Sequence, residues 1–139
     1  MTVPEWLAPA SALYKRGVMI GFNGRHTGVH MYRSVMEAIA VTMKNHCLAM
    51  CEERSKKIDR IMISGGGSNG DLFMQIFADV FGLPASRNEV NGAVGLGSAI
   101  CAAVGVGAYP NFEAAMEKMI RPRDTFSPNA ANTKLYHDM

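Results

Sequence analysis

The stretch DRIMISGGGSNGDLF, residues 59–73, places a run of glycines between an apolar segment and the start of a helix. Ile61 and Ile63 point to one side of an extended chain and Met62 points to the other. Both faces of the strand are therefore apolar, and we expect it in the middle of a sheet. The turn that follows, called the glycine turn below, consists of Gly65, Gly66, Gly67, Ser68, Asn69 and Gly70. The stretch predicts a strand, a turn and a helix in succession.

The glycine turn has the properties of a nucleotide-binding turn. Without Cβ atoms the backbone can approach a ligand closely, and positive φ angles cost little. The amides of the turn also open onto the positive end of the following helix dipole. Asp71 would repel a phosphate placed there, so either Asp71 turns away or the turn holds the adenosine end of the nucleotide. A tight connection that binds nothing is the structural alternative.

Upstream of the turn, apolar residues recur every three or four positions and predict a long helix from about Thr27 to Arg54. We expect its apolar stripe to lie against the core; it comprises Tyr32, Met36, Ile39, Met43, Cys47 and Met50. Downstream, a helix starts at Asp71 and is closed by Gly82. Most of the eleven methionines follow such stripes, and we interpret them as core residues.

The remaining segments complete an α/β alternation. We expect one or two edge strands between Leu13 and Phe22. Further on, the pattern predicts a strand at 85–88, a helix of small residues at about 93–104 and a helix at 111–119. The fold class is therefore α/β, with a mixed sheet packed with helices and residues 1–139 in a single domain.

Composition limits the kinds of partner. The 139 residues carry a net charge of only +2, which argues against nucleic acid as a partner. Three cysteines give no disulfide framework and suit the cytoplasm. The first residues resemble no secretory signal, and no apolar run reaches the roughly 20 residues needed to cross a bilayer. His26 and His30 straddle a predicted helix start, so we predict no metal site.

Three stretches together carry a resemblance to a known family. The sequence GVMIGFNGRHTGVHMYRSVME, residues 17–37, resembles the second signature of the FGGY carbohydrate kinases in its two glycines, in Ser34 and in Glu37. The sequence ISGGGS at 63–68, with the helix after it, is similar to the adenosine motif of that family. Residues 97–102, GSAICA, resemble its helix of small residues. The resemblance extends from about Leu13 to Tyr136.

The resemblance implies a ribonuclease-H-like lobe of the actin-like ATPase architecture. It would be the C-terminal nucleotide-binding lobe of a two-domain sugar kinase whose first lobe is absent. Gly65, Gly66 and Gly67 would face the adenine and ribose of ATP, with Ser68, Asn69 and Gly70 beside them. Family members often carry a basic residue at the position of Asn69, and often an acidic one where Asn91 stands.

The resemblance also implies the chemistry of the whole enzyme, which is transfer of the ATP γ-phosphoryl group to a hydroxyl of a sugar or polyol. Its cofactors would be ATP and Mg²⁺, with the magnesium held mainly by the missing lobe. The partners would be ATP or ADP, the sugar through that lobe and, for an isolated lobe, a second copy of the chain. We nominate no catalytic residue here and leave open whether the fragment is an enzyme; Asp79 is expected to make a structural hydrogen bond.

Two other functions stay open at this point. The chain could be a nucleotide-binding or regulatory module that acts without catalysis. It could also be a Rossmann-type dinucleotide binder, because Gly65, Gly67 and Gly70 satisfy G-x-G-x-x-G and Glu89 lies at a suitable distance. Against the Rossmann unit, residues 84–88 are short and polar where an apolar second strand is required.

Overall fold

The computed structural model describes residues 1–7 and 10–138. Its helices are α1 (Gly28–Arg54), α2 (Asp71–Phe81), α3 (Ala93–Gly105), α4 (Phe112–Met119) and α5 (Ala130–His137). Its strands are β1 (Thr2–Val3), β2 (Val18–Met19), β3 (Ile61–Met62), β4 (Ala85–Asn88) and β5 (Pro122–Phe126). The predicted helices therefore form, with bounds within one or two residues of those expected.

The main sheet has the order β3-β4-β5. Strand β4 runs parallel to β3, with Ile61 opposite Ala85, and antiparallel to β5, with Ala85 opposite Phe126. The prediction that β3 is central is thus wrong for the described residues, where β4 is central and β3 lies at an edge. The apolar pattern misled because Ile61 and Ile63 pack against core clusters while Met62 stays 57% exposed beside an apolar groove.

Helix α2 lies between α1 and the sheet. On one side, its Ile76, Phe77 and Val80 pack against Met36 and Ala40 of α1. On its other side, a second cluster is formed by Met74, Ala78 and, from β4, Ala85. This burial on two sides explains why the helix is apolar over a wide arc, and it fixes the direction in which its first turn points.

The apolar stripe of α1 is buried only in part. Met36 is 6% exposed, whereas Tyr32, Met43 and Met50 are 68%, 47% and 56% exposed. Helix α1 has 27 residues and α2 only 11, so much of α1 has no partner helix beside it. The interpretation of the methionines as core is therefore wrong for Met43 and Met50, and Cys47 is only half-buried.

The edge strand expected between Leu13 and Phe22 is β2. It pairs antiparallel with β1 in a separate two-stranded sheet, a partner that the sequence did not indicate. Gly17 lies directly before β2. A Cβ at this position would collide with the indole of Trp6. The tail forms α5, whereas β5 was not predicted. Within the residues that the structure describes, no helix has the length and apolarity needed to cross a membrane.

Candidate functional site

The glycine turn connects β3 to α2 as predicted. Gly66–Asn69 form a short 3-10 turn, and α2 begins directly afterwards at Asp71. Gly65 has a φ of 92°, a left-handed conformation that favours glycine. A Cβ built on Gly65 or on Gly66 would meet no atom within 4 Å. This corner of the molecule is therefore open, as a nucleotide-binding turn requires.

Hydrogen bonds within the protein occupy some of the amides of the turn. The amide of Gly65 donates to the carbonyl of Asn91 at 2.7 Å, which ties the turn to the segment before α3. The amides of Ser68 and Gly70 donate to Gly65 and Gly67, both at 3.1 Å. Among the described residues we find no acceptor for the amides of Gly66 and Gly67. Of residues 65–67, two main-chain donors thus remain available to a ligand.

Other residues of the turn hold its shape. Ser68 is 1% exposed, and its hydroxyl donates to the carbonyl of Gly65 at 2.7 Å. At Gly67 a Cβ would lie 2.9 Å from the ring of Phe73, so a side chain at this position would require the ring to move. Asn69 and Gly70 are exposed to solvent. The structure therefore brings all six predicted residues together, with Ser68 facing inward.

Arg87 is the residue that the sequence interpretation missed. Its side chain is 3% exposed and reaches from β4 to the glycine turn. Its Nη1 donates to the carbonyl of Ser68 at 2.7 Å, and its Nη2 donates to Asp71 at 2.8 Å. Its Nε and Nη2 donate to the two carboxylate oxygens of Asp124 at 2.6 and 2.8 Å. The guanidinium also lies 5.1 Å from the ring centre of Phe126.

These contacts shift the pKa values of Arg87 and Asp124. Hydrogen bonds to Asp124 and then Asp71 raise the pKa of Arg87 above its usual value. The hydrogen bond from Arg87 lowers the pKa of Asp124. Asp71 directs one carboxylate oxygen toward Arg87 but stays 76% exposed, so the repulsion of a phosphate by Asp71 is reduced only in part. The sequence signal for Arg87 was its position two residues after Ala85 on β4, which places both side chains on the same buried face of the strand.

Asp79 makes the structural contacts that were expected of it. It is 3% exposed, and its carboxylate accepts hydrogen bonds from Gln75, from the amide of Asn129 and from the side chain of Asn132. Three donors occupy this carboxylate, and it joins α2 to the start of α5. The hydrogen bonds of the Asp79 carboxylate therefore serve the structure of the fold.

The two histidines near the start of α1 accept hydrogen bonds from nearby main-chain amides. His30 Nδ1 accepts from the amide of Thr27 at 3.1 Å, as part of a capping arrangement. His26 Nδ1 accepts from the amide of Asn23 at 3.0 Å. Over residues 1–7 and 10–138, no group of three or more His, Cys, Asp or Glu side chains is placed to hold a metal ion.

An open groove, called the apolar groove below, lies between α1, the edge of β3 and α2. Its volume is about 690 Å³. Its lining includes Ile39, Met43, Met50, Met62, Phe73 and Phe81. It approaches the glycine turn at Ser64. Met43 and Met50 of α1 thus face a single apolar depression, and Phe73 contributes both to it and to the base of the turn.

Comparison with known proteins agrees with this geometry. The family model described as the C-terminal domain of the FGGY family of carbohydrate kinases matches residues 5–106. The chain is 49% identical over 139 residues to a protein of Escherichia coli K12 named uncharacterized sugar kinase YgcE, covering all of this chain and 28% of that protein. It is 31% identical over 121 residues to the xylulose kinase of Bacillus subtilis, covering 87% of this chain and 24% of that protein.

Solved structures show the same fold. The xylulose kinase from Rhodospirillum rubrum matches with a TM-score of 0.77 at 25% identity, over 99% of this chain and 28% of that one. Plasmodium falciparum glycerol kinase with ADP matches with a TM-score of 0.71 at 17% identity, over 88% of this chain and 25% of that one. These neighbours confirm the expected actin-like ATPase fold.

The chain spans about a quarter of the length of the curated relatives that it matches, at 28% and 24%. The matched family model covers most of it, including the glycine turn, α2 and α3. The chain belongs to the FGGY family of carbohydrate kinases, in the C-terminal domain of that family.

Proposed function

We propose that this chain supplies the ATP-binding lobe of a carbohydrate kinase that transfers the γ-phosphoryl group of ATP to a hydroxyl of a sugar or polyol. The observation that carries the proposal is the open glycine turn, in which Gly66 and Gly67 offer main-chain donors without an acceptor among the described residues. An exposed backbone next to a helix start suits the adenosine end of a nucleotide.

The residues of the turn would act by binding and positioning. The bare backbone at Gly65 and Gly66 leaves room for the purine and ribose, and the amides of Gly66 and Gly67 would donate to ligand oxygens or ring nitrogens. Arg87 offsets part of the negative charge on Asp71 and is shared with Asp124. Phosphoryl transfer depends mainly on such positioning and on electrostatic stabilisation.

The proposal places Mg²⁺ with the lobe that this chain lacks. The described side chains form no cluster of three candidate metal ligands. When bound, Mg²⁺ would neutralise the charge that develops on the phosphates. The catalytic base would also come from the other lobe, because Asp79, the one buried acid among the described residues, already accepts hydrogen bonds from Gln75, Asn129 and Asn132. A cytoplasmic location, where ATP and sugars meet, belongs to the same proposal.

A nucleotide titration of the 139-residue chain tests the proposed binding. We expect saturable binding of ATP and ADP by calorimetry and no saturation by NAD⁺. A Rossmann unit is built on a parallel sheet, whereas β5 here is antiparallel to β4. Saturation by NAD⁺ with no response to ATP or ADP would overturn the kinase proposal.

The second candidate is a nucleotide-binding module without catalysis, because the open turn and the amides of Gly66 and Gly67 would serve binding alone equally well. Complementation separates the two functions. The chain is mixed with the remaining part of the Escherichia coli relative, and ADP release is followed with a panel of sugars and polyols. Sugar-dependent ADP release supports the kinase lobe. A folded, associated pair that releases no ADP with any acceptor supports the module.

A further inference from the structure

The side chain of Arg87 joins three segments that are distant in sequence. It sits on β4 and contacts the glycine turn, the first residue of α2 and β5, through Ser68, Asp71 and Asp124. Four hydrogen bonds of 2.6 to 2.8 Å are made from one guanidinium group. Charge-assisted bonds of this kind are short and strong, and a bidentate pair also fixes the direction of the side chain.

The contact with Ser68 is the one that bears on ligand binding. Arg87 Nη1 donates to the main-chain carbonyl of Ser68, and the Ser68 hydroxyl in turn donates to the carbonyl of Gly65. The two free amides, of Gly66 and Gly67, lie between these fixed points. Glycines are the least restrained residues of a chain, so a turn that contains four of them needs an external restraint to present its amides in one orientation.

The contact with Asp71 has an electrostatic consequence. Asp71 is 76% exposed at the start of α2, where its charge would oppose the approach of an anion to the helix end. The guanidinium of Arg87, at 2.8 Å, offsets part of that charge without itself being exposed to the ligand, and it also pairs with Asp124. One buried cation thus orders the turn and is shared between two acids.

We propose that Arg87 is a positioning residue for nucleotide binding. Through its contact with the buried side of the glycine turn, Arg87 holds the turn in the conformation that accepts a ligand. The inference rests on the proposed function, because the ligand it names is the adenine nucleotide of that proposal. Arg87 touches no ligand itself and acts through the main chain of the turn.

The test compares Arg87→Lys with Arg123→Lys in the 139-residue chain. The first variant keeps the buried charge and loses the multiple fixed contacts; the second makes the same chemical change at a half-exposed residue whose nearest acid is 3.8 Å away. For Arg87→Lys we expect about tenfold faster hydrogen exchange at the amides of Ser68 and Gly70 and about tenfold weaker ADP binding. Exchange in α1 should stay unchanged, and Arg123→Lys should behave as the parent chain.

Each result of this test supports or overturns either the role of Arg87 or the proposed function. A folded Arg87→Lys variant with unchanged exchange in the turn overturns the positioning role. If the parent chain binds no ADP, the proposed function fails, while faster exchange in the variant still supports Arg87 as the restraint on the turn. If Arg87→Lys does not fold, Asp124→Asn carries the test: it weakens the bidentate pair that fixes the guanidinium of Arg87 beneath the turn, and exchange in the turn equal to that of the parent chain overturns the inference.

Discussion

Gly66 is the residue of the glycine turn at which an added side chain would affect a ligand most and the fold least. Its φ is not positive, and a Cβ there meets no atom within 4 Å. Its neighbours differ, because Gly65 has a φ of 92° and Gly67 lies against the ring of Phe73. Glycine is thus favoured at position 65 by its backbone conformation, at position 66 by the access that it gives to a ligand, and at position 67 by its packing against Phe73.

We therefore predict that Gly66→Val abolishes nucleotide binding and changes the free energy of unfolding little. The isopropyl group would occupy the space into which the nucleotide must come. Calorimetric titration with ADP and urea unfolding measure the two effects. Gly24→Val is the matched control, since Gly24 is equally open and far from the turn in sequence. Unchanged ADP affinity in Gly66→Val would show that the turn is only structural.

A second prediction concerns acid stability. Arg87 holds the pKa of Asp124 below its ordinary value of 3.8 in the folded chain. Such a carboxylate stabilises the fold above its unfolded pKa, and the contribution is lost as the pH falls through the folded pKa. We expect the urea midpoint to fall as the pH is lowered below about 4, and to fall less steeply in Asp124→Asn. Asp59→Asn, at an exposed position, should follow the parent chain; equal slopes in all three would contradict the prediction.

At the scale of elements, α5 is held by polar side chains from the two helices beside it. Asp79 of α2 accepts from the amide of Asn129 and from Asn132, and Glu37 of α1 accepts from the hydroxyl of Tyr136 at 2.8 Å. Burial and the bond to Glu37 raise the pKa of Tyr136. No residue of α5 itself is fully buried. The attachment of this last helix thus depends on hydrogen bonds more than on apolar packing.

We predict that Asp79→Asn lowers the free energy of unfolding by about 2 kcal/mol, because the amide group opposes donors with a donor. The loss should be concentrated in α5, where hydrogen exchange is expected to accelerate most. Urea unfolding and residue-level exchange measure both quantities. Glu113→Gln, on the exposed surface of α4, serves as the control. Uniform acceleration over the chain would contradict the role assigned to Asp79.

The comparison of sequence with structure also belongs to the scale of elements. Periodic apolar residues and closing glycines such as Gly82 are local signals, and they located α1 to α4 and β4. Strand β5 was missed because residues 122–126 are polar and its pairing partner lies far away in sequence. The role of Arg87 was missed for the same reason, since Asp124 is 37 residues from it. The glycine turn could be predicted from the sequence, whereas the restraint that Arg87 places on it could not.

At the scale of the whole molecule, the apolar groove and the unpaired edge of β3 lie side by side. We propose that both are covered in the complete kinase by the part of the polypeptide that the relatives have and this chain lacks. A strand laid against β3 would complete the sheet, and its apolar residues would fill the groove. The relatives, about four times as long as this chain, have ample residues for this.

The isolated chain should then associate with itself through the same surface. We predict a concentration-dependent dimer in sedimentation experiments and a monomer for Met62→Lys, which puts a charge at the exposed edge of β3. Leu135→Lys, which changes an apolar side chain of similar exposure on α5, should leave the dimer intact. A parent chain that stays monomeric at every concentration would contradict the prediction.

The bond from the Gly65 amide to the Asn91 carbonyl has a further consequence. It is made by main-chain atoms at both ends, so the side chain at position 91 is not needed to form it. Exchanging Asn91 for another residue, acidic or not, leaves this link in place as long as the backbone path is kept. Divergence at this position during evolution can therefore be silent, and the start of α3 stays attached to the turn through a connection that sequence comparison does not detect.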